Sequence, residues 1–132
     1  MSESWNPIRE DRPLTVEEEG LVRWLLEHGI PGTDATSFLP QIDQARVVSR
    51  CPCGCASIDF AIVGRTPPAG VPLQVLSDYE WDGDSGAKFG VFVFVKADLL
   101  AGLEVWSIDG LATPDKLPAI EALKPIVWSR KA

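Results

Sequence analysis

Three thiols stand within five residues, in the run Cys51-Pro52-Cys53-Gly54-Cys55. Thiolates are soft ligands, and a loop that turns them inward can hold one soft or borderline metal ion. Pro52 and Gly54 help the chain bend that way. Zinc ordinarily takes four ligands, often as pairs spaced Cys-x2-4-Cys with a second pair elsewhere. Here there is no second pair, and the only histidine is His28. A fourth ligand is then His28, a carboxylate or water. The spacing is not the Cys-x-x-Cys of thioredoxin-like redox sites, and a reducing cytosol works against a permanent disulfide. The plainer alternative is a tight turn between strands, built from small and moderately apolar residues. With the ligand count one short, the chain is expected to fold without a metal or other cofactor.

His28 is the one side chain whose ordinary pKa lies near neutrality. As a general base it needs an orienting partner and a nearby nucleophile, and no motif supplies either. Its place near a helix C-terminus is explained by the helix dipole and the last free carbonyls. Asp78, Glu80 and Asp82 alternate along a strand and so share one face. Such an acidic stripe suits a basic protein partner or a solvated outer face. With Asp84 it begins like a calcium loop, but Gly83 and Gly86 are misplaced and Val93 stands where the bidentate Glu belongs. There are five tryptophans: Trp5, Trp24, Trp81, Trp106 and Trp128. Core filling accounts for most of them; Trp106 is a candidate for partner binding alongside Asp78, Glu80 and Asp82. No Gly-rich phosphate loop, nucleophile elbow, His-Glu-x-x-His pair or dinucleotide fingerprint occurs, which turns the reading away from catalysis.

The elements that must carry these residues can be read from their periodicity. Thr15 followed by Glu18 is a capping-box pattern. Leu21, Val22, Leu25 and Leu26 then form one apolar stripe, and Gly29 and Pro31 stop the chain, so residues 15–28 are predicted helical. Residues 35–44 suggest a short irregular helix. From Arg46 the period changes to two. Strands are predicted at Arg46–Cys51, Ser57–Val63, Leu73–Asp82, Lys88–Lys96 and Leu103–Ile108, and a last short helix at 117–125. Facing Trp81 with Phe89 in the central hairpin pairs Tyr79 with Val91, Ser77 with Val93 and Val75 with Val95. It also sets Asp82 beside Lys88. The expectation is an α+β fold with an N-terminal helix packed on an antiparallel meander of about five strands. Residues 1–11 read as a flexible tail and 12–132 as one domain.

At 132 residues and 45% hydrophobic content, the chain can bury a core unaided. It has no run of ~18 apolar residues and no basic-then-apolar leader, so neither a membrane span nor a secretory signal is expected, and the cytoplasm is the expected location. The net charge of −7, from 19 acidic and 12 basic residues, opposes nucleic-acid binding.

Arg12-Pro13-Leu14, Cys53-Gly54-Cys55 with Ser57-Ile58, and Leu103-Glu104-Val105-Trp106-Ser107-Ile108-Asp109-Gly110 together resemble a group of small uncharacterised bacterial proteins. The resemblance covers about residues 12–118 and implies no catalytic residue. Immunity proteins against toxins offer an analogy of size and charge only. Three functional readings follow: a non-enzymatic protein-interaction domain, a thiolate metal-binding or metal-sensing protein, and an enzyme with an unrecognised small-molecule pocket.

Overall fold

The computed structural model describes residues 7–126. Trp5, Trp128 and the first six residues of the expected tail lie outside this range. The fold is α+β, with an antiparallel sheet and one α-helix against its inner face.

Helix α1, Val16–Glu27, forms where the sequence places it, and both halves of its capping box are present. The Thr15 hydroxyl accepts from the Glu18 N–H at 3.1 Å, and the Glu18 carboxylate accepts from the Thr15 N–H at 2.8 Å. Leu21, Val22, Leu25 and Leu26 are all buried, as the stripe requires. At the far end the His28 carbonyl accepts from the hydroxyls of Tyr79 at 3.0 Å and Ser77 at 3.3 Å. That clamps the helix to the sheet and satisfies a carbonyl that would otherwise be orphaned. Trp24, off the stripe, stacks on the His28 ring at 4.1 Å and meets Tyr79 edge-on at 4.9 Å.

The irregular element Ala35–Gln44 is a 3-10 helix with Pro40 inside it; it buries Ala35 and Ile42. Its Gln41 side chain donates to the Asp98 carbonyl at 2.9 Å and accepts from the Leu100 N–H at 2.8 Å, so it is pinned to a hairpin turn of the sheet.

The sheet has seven strands, where about five were expected. They are β1 (Ile8–Pro13), β2 (Ala45–Arg50), β3 (Ile58–Ile62), β4 (Leu73–Asp82), β5 (Lys88–Lys96), β6 (Leu99–Ser107) and β7 (Lys124–Pro125). The two extra strands are the edges. β1, which includes residues 8–11, pairs with β2, and the two-residue β7 pairs with β4. Neither shows the apolar alternation that marks a strand, because an edge strand needs little burial on either face. The helix expected at 117–125 reduces to one 3-10 turn, Ile120–Ala122, between Pro118 and Pro125. Nor is the sheet a simple meander: its order is β1-β2-β3-β6-β5-β4-β7. The loop carrying Pro67 and Pro68 takes the chain across the sheet to β4, and the β4-β5-β6 meander then returns to lie beside β3.

The central hairpin keeps the expected register from Asp82–Lys88 to Ser77–Val93. It departs at Val75, which faces Phe94 rather than Val95. A bulge at Leu76 inserts one residue, and Leu76 is completely buried. The hairpin between β5 and β6 turns on Ala97 and Asp98, both with positive φ. Such two-residue turns match the twist of the flanking strands, and this one lets β6 begin at Leu99 instead of Leu103.

Candidate metal centre

The cysteine loop joins β2 to β3, next to the sheet edge. Both of its ends are fixed. The Cys51 N–H donates to the Ser57 carbonyl at 3.4 Å. The buried Ser57 hydroxyl replaces a ladder pair, donating to the Val105 carbonyl at 3.0 Å and accepting from the Val105 N–H at 2.9 Å. The Ala56 N–H donates to the Pro114 carbonyl at 2.9 Å, which ties the loop to the 114–117 segment. Gly54 has φ +94°, a conformation open to glycine and costly for other residues, and it reverses the chain between Cys53 and Cys55.

This backbone brings the three sulfurs together, all within 4.8 Å of one another. Cys53 and Cys55 stand 2.9 Å apart between Sγ atoms. The Cys53 N–H points at Cys51 Sγ and the Cys55 N–H at Cys53 Sγ, each at 3.3 Å. Backbone donors aimed at sulfur favour the anionic form of a thiol. All three cysteines are free thiols; Cys51 and Cys55 are half-buried and Cys53 is exposed. Burial, and then its hydrogen-bonded neighbour Cys53, push the Cys51 thiol up to about 12. Cys53 moves the other way: burial raises it, but hydrogen bonds from Cys51, Cys55 and the backbone outweigh that and lower it.

A cavity of about 450 Å³ opens beside the loop, lined by Cys55, Ser57, Thr15, Glu18, Arg50 and Asp115 among others. The Arg12 guanidinium there grips Glu18 with two hydrogen bonds, at 2.8 and 3.0 Å. Burial raises the Glu18 carboxyl, yet Arg12 and the Thr15 amide pull it below its usual range. Glu10 bridges Arg12 at 2.7 Å and Arg50 at 2.6 Å, which knits β1 to β2 along this wall. His28 is not at this site. The cavity meets the N-terminal end of α1, and His28 lies thirteen residues from Thr15, ~20 Å along the helix at 1.5 Å per residue. Its Nδ1 is bonded to the Trp24 carbonyl at 2.8 Å. Among the described residues, the three cysteines form the one group of His, Cys, Asp or Glu whose ligand atoms converge in this way.

The acidic stripe sits elsewhere, on β4. Asp82 is exposed and bridged by Lys88 at 2.7 Å and Lys124 at 3.3 Å, and those two lysines hold its carboxyl below the usual range. Glu80 and Asp78 are half-buried, and Glu80 faces Lys124 across the β4–β7 pair. Trp106, half-buried on β6, lies over Gly90 on the outer face. The proline- and aspartate-bearing segment behind the cysteine loop, Pro114 and Asp115, carries no sequence signal of its role, since only the tertiary fold brings it there. Comparison with protein-family models, curated proteins and solved structures finds no match.

Proposed function

We propose that this protein binds a zinc ion reversibly through Cys51, Cys53 and Cys55. The observation that carries the reading is the convergence of three sulfurs within 4.8 Å. Around tetrahedral zinc, with Zn–S bonds of ~2.3 Å, thiolate sulfurs stand ~3.8 Å apart, so small rotations about the side-chain bonds suffice. The backbone N–H groups aimed at Cys51 and Cys53 sulfur support the same reading, because they stabilise thiolates. The fourth position falls to water or to a carboxylate from the adjoining cavity, of which Asp115 is the best placed by chain connection. Three protein ligands on a loop outside the core suit binding or sensing of the ion rather than a closed structural site.

The test is elemental analysis and competition titration of the protein purified without chelator. About one zinc per chain is expected. Cobalt substitution should give thiolate-to-metal charge-transfer absorption. Each single Cys→Ser change should weaken affinity by more than the ~10–100-fold that loss of a supporting hydrogen bond costs. Failure to bind zinc at micromolar concentrations would falsify the reading.

A second reading, a docking surface for a basic protein on Asp78, Glu80, Asp82 and Trp106, has less support. The Asp82 charge is already met by two lysines.

A further inference from the structure

We infer that the zinc site is redox-gated: two-electron oxidation joins Cys53 to Cys55 as a disulfide and releases the ion. The inference rests on the zinc reading above and names how that same site is controlled. It stands on geometry. The Cys53 and Cys55 sulfurs are 2.9 Å apart, already inside van der Waals contact, with only Gly54 between them in the chain. The positive φ of Gly54 folds the segment so that the two side chains lie together. Cys53 is the exposed member of the three, so a soluble oxidant meets it first, while Cys55 is half-buried directly behind it. Cys51 Sγ accepts from the Cys53 N–H at 3.3 Å and keeps its thiol.

A hydroperoxide is a sufficient oxidant. The Cys53 thiolate attacks one peroxide oxygen, the O–O bond breaks, and hydroxide leaves with the electron pair, which makes Cys53 a sulfenic acid. The Cys55 thiolate then attacks the Cys53 sulfur, the S–O bond breaks, and a second hydroxide leaves. In sum, two thiolates, one hydrogen peroxide and two protons give one disulfide and two waters. The zinc ion changes no oxidation state. It loses two of its three protein ligands, and the single remaining thiolate cannot hold it.

The experiment uses the full chain loaded with zinc and treated with one equivalent of hydrogen peroxide. A colorimetric zinc chelator reads the free ion, and mass spectrometry reads the tryptic peptide Cys51–Arg65. About one zinc should appear for each disulfide formed, with a mass loss of about 2 Da in that peptide and full recovery after a thiol reductant. Peroxide-treated Cys51→Ser should still form the disulfide. Cys55→Ser should not, and should instead leave a sulfenic acid on Cys53 that a dimedone probe captures. Retention of zinc with all thiols intact overturns the switch and leaves the zinc site standing. A disulfide that includes Cys51 overturns the proposed pairing. A chain that binds no zinc before oxidation overturns the metal reading itself, whatever the thiols then do.

Discussion

On the proposed zinc reading, Cys51 sets how the loop meets the ion. Its thiol is held up at about 12, so near neutrality it carries its proton until a metal displaces it. Metal binding to thiols releases protons, and each proton displaced makes affinity rise with pH. Zinc affinity should therefore climb by at least ~10-fold per pH unit between about pH 6 and pH 8. Competition titration at several pH values, with proton release followed in weak buffer, reads this directly; a flat profile would remove the thiol chemistry. Glu18 is the other residue with a calculable role. It is buried, closes the capping box and takes both prongs of Arg12. Changing it to Ala removes a cap worth ~1 kcal/mol and one of the two carboxylates that hold the partly exposed Arg12, so the loss should be about 1–2 kcal/mol at neutral pH. Its folded pKa lies below the unfolded value of ~4.3. That contribution is present above the unfolded value and vanishes as pH falls through the folded one. Denaturant melts of Glu18→Gln and the parent should converge at low pH. At this scale the sequence was informative: the cysteines and the capping pair are read directly from spacing. What spacing could not give is the company they keep, since Pro114, Asp115 and the Ser57–Val105 pair reach the loop only through the fold.

On the outer face of the sheet, cross-strand pairs decide tolerance. Gly102 faces Phe94, and a Cβ built on it would stand 2.4 Å from the Phe94 ring and 3.0 Å from the Ile58 carbonyl. The ring can shift, but the backbone oxygen cannot without disturbing β3. Gly102→Ala should cost about 1–3 kcal/mol as overpacking. Chemical denaturation would check it, and pairing it with Phe94→Leu should recover only part of the loss. Glu104 lies next to this patch, and burial, then Asp59, raise its carboxyl above the usual range. A folded pKa above the unfolded one means stability that is full below the unfolded pKa and lost as pH rises through the folded pKa. Glu104→Gln should therefore raise the melting temperature at neutral pH and change little under acid; a lower melting temperature at pH 7 would contradict the assignment. The long hairpin was legible because Tyr79 and Trp81 alternate with Asp78, Glu80 and Asp82 on β4, β5 is an apolar run, and Asp82 meets Lys88. The Leu76 bulge was not, since an extra apolar residue in an apolar strand leaves no mark on the pattern. Edge strands β1 and β7 were hidden for a related reason: they are held by main-chain pairing and ion pairs such as Arg50–Glu10, which carry no periodicity.

For the whole molecule, the question is whether the metal builds the fold or only visits it. The buried cluster runs from Leu21 and Leu25 on α1 to Val91, Val93, Leu103 and Val105 on the central strands, and of the three cysteines only Cys55 touches it, from the side. The loop's ends are fixed by hydrogen bonds to Ser57 and Pro114 that need no ion. On the proposed zinc reading, removing the ion therefore withdraws only the linkage free energy, ~2.7 kcal/mol when free zinc stands at a hundred times Kd. For a chain of this length each ~1 kcal/mol moves Tm by ~3–5 °C, so excess chelator should lower Tm by ~10 °C. It should leave the far- and near-UV circular dichroism at 25 °C unchanged. The triple variant Cys51→Ser, Cys53→Ser, Cys55→Ser should also fold, with a Tm that ignores added zinc. Thermal melts of both proteins with zinc and with chelator make the comparison. Loss of the near-UV signal on chelation would mean that the cysteine loop organises the sheet. In that case the core from Leu21 to Val105 would not suffice, and the ion would be structural rather than exchangeable.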